Sequence, residues 1–304
     1  MYVGRLAPSP TGRIHLGIAR TSLAAWLDAR AAGGALILRI EDIDADRCVP
    51  GAADDIMRDL EWLGLSWDHG PDTGGPHAPY TQSQRTDLYL DALERLAALG
   101  RTFPCTCSRK EIALAASAPH GPSDEGPRYP GTCRDAYHPR PGRSPAFRLR
   151  TELGDVITHT DRALGPLDQD VHAAVGDFIL RRTDGLWAYQ LAVTVDDLAQ
   201  GVTAIVRGAD LASSTPRQLL LRRLLDPDAG QLDTLHVPLM LGEDGQRLAK
   251  RSGSTTLEAH RAAGRRPEAI IGALAAGLGL VPEGTEARPE ALVEAWRAKH
   301  PPRP

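Results

Sequence analysis

The amino-acid sequence predicts an α/β fold built on a parallel sheet, and three observations carry that expectation. Short apolar runs alternate with amphipathic stretches in the order strand, helix, strand, helix through the first hundred residues, the order that builds parallel sheets. "ALILRI" (35–40) reads as a continuous apolar run, the pattern of a strand buried on both faces. The same texture resumes late in the chain, after a stretch of different character.

Taken in order, "YVGRLA" is a short strand ending at Pro8. "GIARTSLAAWLDARAAG" keeps an apolar face at helical spacing and stops at Gly33 and Gly34. "GAADDIMRDLEWLGL" is a second helix closing on Gly64, and "SQRTDLYLDALERLAALG" a third. From Thr102 the text turns to Pro, Gly, Ser and Cys with little periodicity, which predicts an inserted module. "WAYQLAVTVDDLAQGVTAIVRG" reads as two strands around a polar turn, and "TPRQLLLRRLL" as a helix. "VPLMLGEDGQRLAKRSG" reads as an apolar run, a turn and a basic loop; the tail is helical, Ala-rich and frayed at its end.

The chain has 304 residues and a formal net charge of -4, with arginine supplying almost all of the positive charge. An acidic total argues against indiscriminate nucleic-acid binding, not against a local basic surface. No apolar run has membrane-spanning length, and "MYVGRLAPSP" lacks the plan of a signal peptide. No membrane partner is expected, and the expected place is the cytoplasm, where clustered cysteines mean metal more often than disulfide.

The stretch "RLAPSPTGRIHLG" (5–17) breaks a strand with two prolines and two glycines and then feeds a helix. Such a break aims backbone N–H groups and the positive end of a helix at one point, which suits phosphate. His15 sits at that point, and Gly17 lets a ligand approach the backbone. An ordinary Pro-rich strand exit with a surface histidine would read the same way. The stretch is neither G-x-G-x-x-G nor a P-loop. Cys105, Cys107 and Cys133 in a glycine-rich module suggest tetrahedral zinc needing a fourth ligand. His120, His138 and Tyr129 are the candidates, histidine being the more usual chemistry. Cys48 is left over as a plain thiol.

"HLGI" and "RLAKR" (247–251) resemble the two signatures of class I aminoacyl-tRNA synthetases, His-Ile-Gly-His and Lys-Met-Ser-Lys-Ser. "RLAPSPTGRIHLG", "LRIEDIDADR", "WAYQLAVTVDD" and "VRGADLASSTPRQ" further resemble the catalytic half of the glutamyl-tRNA synthetases, over roughly residues 3–255. Ile18 departs from the first signature, and Arg247 and Ala249 from the second, leaving His15 and Lys250 as the implied catalytic pair. The resemblance implies a Rossmann-like class I sheet that binds ATP with Mg²⁺ at His15, Gly17 and Lys250. It implies a glutamate pocket of Arg5, Leu6, Ala7, Pro8, Ser9, Glu41, Tyr189 and Arg207, and one structural zinc on Cys105, Cys107, Tyr129 and Cys133. The implied organisation is a first catalytic half (1–101), a zinc-containing, acceptor-binding-like insertion (102–175), a second catalytic half (176–243), and the lysine loop with a short stem-contact-like helical region (244–304). No anticodon-binding domain is expected.

About fifty residues follow Ser252, which fits the short paralogous family of glutamyl-queuosine tRNA(Asp) synthetases. Those enzymes activate L-glutamate without tRNA and attach it to queuosine in the anticodon of tRNA(Asp). A truncated synthetase charging the 3′ end of tRNA(Glu), and a non-catalytic nucleotide- or tRNA-binding regulator, are the alternatives. A monomer is expected, with Arg217, Arg222 and Arg223 as candidate tRNA-phosphate contacts.

Overall fold

The computed structural model describes residues 1–115, 128–240 and 256–301. Its centre is a parallel arrangement of four strands. β1 (Val3–Leu6) pairs in register with β2 (Ala35–Leu38), and β10 (Ala204–Gly208) with β11 (Asp233–Val237). The pairs lie side by side: Thr203 N–H donates to Val3 C=O at 3.0 Å, and Arg5 Nη1 to Val206 C=O at 3.2 Å.

The apolar strands divide their side chains between two faces. Leu36, Leu38, Val206 and Leu235 pack with Leu23 and Leu27 of α1 (Leu16–Ala31) and Ile56 and Leu60 of α2 (Ala52–Trp62). Ile37 and Ile205 face the other way, with Val202 and Tyr80. On that second side α3 (Thr86–Ala98), α6 (Tyr189–Ala199) and α7 (Thr215–Leu225) share a core through Leu93, Leu191 and Leu221. Of the C-terminal helices α8 (Leu257–Ala262), α9 (Pro267–Gly277) and α10 (Val293–Lys299), the last two bury Ile271, Leu274 and Trp296 against the α1 cluster.

Two expectations need correction. Residues 189–199, expected as a strand, form α6. Every position from Gln190 to Asp197 is buried, so no polar face marks the helix, and Val193, Thr194 and Val195 mimic strand composition. The stretch expected as an insertion is also more ordered than its texture suggests. β3 (Thr102–Cys105) precedes α4 (Arg109–Ala115) and pairs antiparallel with β4 (Ala146–Leu149), which pairs with β9 (Ile179–Arg181). Two small pairings follow β4, β5 (Val156–Ile157) with β8 (Gln169–Asp170) and β6 (Thr160–Asp161) with β7 (Gly165–Pro166), and then α5 (Val171–Ala174).

Asp28, 3% exposed on α1, ties four parts of the chain together. It accepts from Tyr2 Oη at 2.6 Å, Trp296 Nε1 at 2.9 Å and both terminal nitrogens of Arg162. Removing one member of a buried ion pair strands the other charge. Asp28→Ala is therefore expected to cost roughly 3–5 kcal/mol, read as a lowered urea midpoint. A loss below 1 kcal/mol would show that these bonds contribute little.

Candidate active site

A cleft of about 1440 Å³ opens beyond the carboxyl ends of the parallel strands, where open α/β sheets usually bind ligands. Arg5, Leu6, Ala7, Pro8, Ser9, His15, Gly17, Glu41, Tyr189 and Arg207 all line it. The sheet explains this convergence: Arg5 and Leu6 end β1 and residues 7–9 follow it, Glu41 follows β2, Tyr189 begins α6, and Arg207 lies near the end of β10.

The floor holds a concentrated charge cluster. Arg39 Nη1 donates to Asp197 Oδ1 at 2.8 Å and Arg39 Nη2 to Glu41 Oε1 at 3.0 Å. Arg5 Nε lies 3.8 Å from Asp197, and Arg85 Nε donates to Asp196 at 2.6 Å. Burial pushes Glu41 up against the pull of Arg39 and Arg5, and lowers Arg5 against the pull of Asp197. Burial likewise raises the Tyr189 phenol, opposed by Arg207.

Arg207 is held differently. Its Nε donates to His236 Nε2 at 3.0 Å, Nη1 to Gln218 Oε1 at 2.8 Å and Nη2 to Thr215 Oγ1 at 2.8 Å. Among the described residues no carboxylate pairs with it. The floor thus sets four guanidinium groups, of Arg5, Arg39, Arg85 and Arg207, against three carboxylates, of Glu41, Asp196 and Asp197. Sequence reasoning named Arg5, Glu41 and Arg207 but not Arg39, Asp196 or Asp197, although "LRIEDID" and "TVDD" contain them.

His15 is the N-cap of α1, and its Nδ1 accepts from Gly17 N at 3.1 Å and Ile18 N at 3.3 Å. Those helix N–H groups, expected to serve a ligand, are thus taken by the histidine itself. Capping makes Nδ1 the acceptor, so the neutral ring carries its proton on Nε2. A Cβ at Gly17 would lie 3.0 Å from the His15 ring, so Gly17 makes room for this cap rather than only for a ligand. Lys250, Arg247 and Ala249 lie outside the described residues. The described chain leaves through Pro238, Leu239 and Met240 in the cleft wall and resumes at Thr256, which bridges to His15.

The thiols of Cys105, Cys107 and Cys133 lie within 4.8 Å of one another. Tyr129 Oη is 3.4 Å from Cys105 Sγ and 3.7 Å from Cys107 Sγ, and Cys107 and Cys133 are 3.7 Å apart. A tetrahedral zinc with sulfur at 2.3 Å separates its ligands by about 3.8 Å, so this donor set fits zinc. His138 is not part of the cluster among the described residues, and His120 lies outside them. Burial would raise the Cys133 thiol, but backbone hydrogen bonds from Thr106 and the Tyr129 hydroxyl bring it down to about 7. Cys48 lines the cleft as a free thiol, donating to Asp44 C=O at 3.3 Å.

Two of the arginines expected to meet phosphate do not reach solvent. Arg217 is 3% and Arg222 8% exposed, bonded to the carbonyls of Ser213 and Ala229. Arg223 is exposed but bonds to Val156 C=O. The helix turns Arg217 and Arg222 inward, where their stems fill apolar space, and leaves Arg223 outside.

A cleft at the carboxyl ends of parallel strands, with a capped helix entry and an arginine-rich floor, is the setting of a nucleotide-using catalytic domain. Residues 2–288 match the model of tRNA synthetases class I (E and Q), catalytic domain. Along its whole length the chain is 50% identical to the Glutamyl-Q tRNA(Asp) synthetase of Symbiobacterium thermophilum, covering 94% of that protein. It is 51% identical to the one from Nitratidesulfovibrio vulgaris, over 96% of this chain and 91% of the relative. A solved glutamate tRNA ligase from Elizabethkingia meningosepticum, in complex with its amino acid, superposes with a TM-score of 0.80 at 27% identity. That match covers 96% of this chain and 64% of the ligase, so the chain spans under two-thirds of it. The chain belongs to the class I tRNA synthetases (E and Q) and, within them, to the Glutamyl-Q tRNA(Asp) synthetase family.

His15→Ala is expected to cost about 1 kcal/mol, the usual worth of an N-cap. Gly17→Ala should weaken the same cap, and in the double variant its cost should vanish, because the ring it displaces is gone. Thermal unfolding of the four proteins checks this; additive losses would disprove the steric coupling.

Proposed function

We propose that the cleft activates L-glutamate with ATP, without tRNA, and transfers it to the queuosine base in the anticodon of tRNA(Asp). The observation that carries this is the charge of the floor. Glutamate, with two carboxylates and one ammonium, can offer a carboxylate to Arg207, which meets only neutral acceptors among the described residues, and its ammonium to Glu41 in the same cleft. The names of the relatives at 50–51% identity support the acceptor.

In this reading Arg207 and Arg5 take the carboxylates, Glu41 the ammonium, and Tyr189 and Ser9 add hydrogen bonds, with Leu6, Ala7 and Pro8 as backbone walls. A carboxylate oxygen attacks the α-phosphorus of ATP, the bond to the bridging oxygen breaks, and pyrophosphate leaves. His15 Nε2 and Lys250 stabilise the charge that spreads over the phosphate oxygens. Mg²⁺ accompanies ATP and screens its phosphates. A hydroxyl of the queuosine cyclopentenediol then attacks the activated carbonyl, loses its proton, and AMP departs. A base splayed from a single-stranded loop is open to such direct recognition. Cys105, Cys107, Tyr129 and Cys133 would hold a zinc, which would stabilise the fold of the segment around them. The protein works as a monomer in the cytoplasm.

The purified enzyme is expected to catalyse glutamate-dependent ATP–pyrophosphate exchange with no RNA present. Arg207→Ala should raise the KM for glutamate roughly hundredfold while that for ATP moves little, since a buried carboxylate loses its cation. Labelled glutamate should pass to tRNA(Asp) bearing queuosine, but not to the same tRNA with guanosine there, nor to tRNA(Glu). Charging of tRNA(Glu) would favour a truncated synthetase, and absence of exchange a regulator.

About one zinc per chain is expected on elemental analysis, lost in Cys105→Ser along with order in the insertion. A metal-free preparation with full exchange activity would defeat the zinc assignment.

A further inference from the structure

Arg207 is gripped from behind by a hydrogen-bond chain that the proposed chemistry does not use. In the β10–β11 ladder it stands opposite His236, and its Nε donates to His236 Nε2 at 3.0 Å. A guanidinium can only donate, so Nε2 is the unprotonated ring nitrogen. The ring proton is then on Nδ1, 2.6 Å from Asp161 Oδ2. Both side chains are fully buried, and neither is among the cleft-lining residues.

Asp161 is bound firmly in its ionised form. Oδ2 also accepts from Thr234 Oγ1 at 2.7 Å. Oδ1 accepts from the backbone N–H groups of Ala163, Leu164 and His236 at 2.9–3.2 Å. Burial alone would raise this carboxyl, but the hydrogen bonds hold it well below the usual carboxylate range. An acceptor fixed there pins the proton on Nδ1 and turns the ring's lone pair toward Arg207.

We infer that Asp161 and His236 are positioning residues for the amino-acid site: Asp161 fixes the tautomer of His236, and His236 fixes the guanidinium of Arg207 against the ligand carboxylate. The inference rests on the carboxylate-binding role proposed for Arg207. It also gives the insertion a part in amino-acid binding, because Asp161 belongs to the β6–β7 pair within it.

Two replacements of His236 separate this role from packing. Glutamine can set an oxygen near the Nε2 position and still accept from Arg207. Asparagine can set its amide near the Nδ1 position, keeping a donor for Asp161 but leaving Arg207 Nε unpaired. The KM for glutamate in ATP–pyrophosphate exchange is expected to be roughly tenfold or more higher in His236→Asn than in His236→Gln, the scale of one hydrogen bond to a charged group. The KM for ATP should be equal in the two. Should His236→Asn fail to fold, Asp161→Asn carries the test, since it frees the ring to flip its tautomer and should raise the KM for glutamate alone. Equal glutamate KM values in the two His236 variants, or matching rises for glutamate and ATP, would overturn the inference. A wild-type enzyme without glutamate-dependent exchange would instead overturn the reading beneath it, a distinguishable result.

Discussion

A guanidinium buried among neutral acceptors keeps its charge without cancelling it, and the active-site floor is organised around that condition at Arg207. Its partners are a histidine nitrogen, an amide oxygen and a hydroxyl, which satisfy N–H groups and supply no negative charge. Two of them, Thr215 and Gln218, lie in the first turns of α7, whose N-terminal end adds partial positive charge. Every other cation of the floor has a carboxylate within 4 Å. Within this cluster Arg207 is thus the cation that no described carboxylate balances, and an anion reaching it would recover much of its desolvation cost.

The sheet topology puts that place where it is. β1 runs through α1 to β2, and β10 runs through α7 to β11. α1 joins the core on one face of the sheet and α7 the core on the other. The connections of the two central strands thus diverge, and a crevice opens between their carboxyl ends. Arg5 from β1 and Arg207 from β10 meet across it. Neither could be moved by one residue without turning its side chain to the opposite face.

This geometry explains what the sequence disclosed. Residues on strand ends and sharp turns, such as Arg5, His15 and Glu41, stand in short texts whose composition is unusual, and those texts were legible. α6 was not, because a helix buried all round loses the polar stripe that reveals its period. The arginines of α7 misled for the opposite reason: charge is read as exposure, yet Arg217 and Arg222 run inward to carbonyls. Asp161 and His236 gave no signal. They are 75 residues apart, and only the pairing of β10 with β11 gives His236 its meaning. Arg39, Asp196 and Asp197 were equally silent, since their pairing joins the end of β2 to a helix distant in sequence.

Residues 102–175 meet the cleft in one place and lie behind it in another. Around the metal-type cluster, Cys107 and Tyr129 form part of the cleft wall, and the Arg148 guanidinium lies 4.0 Å over the Tyr129 ring. Burial raises that phenol, so it ionises only where cations compensate; Arg148 is one and a bound zinc would be a second. Arg148 is itself held by Asp177 C=O at 3.1 Å, so this side chain of β4 links the cluster to the cleft wall. The β6–β7 pair instead reaches beneath the floor, where Asp161 contacts only residues behind the ligand surface. The one segment thus contributes Cys107 and Tyr129 to the cleft wall and, through Asp161 and His236, the support behind Arg207.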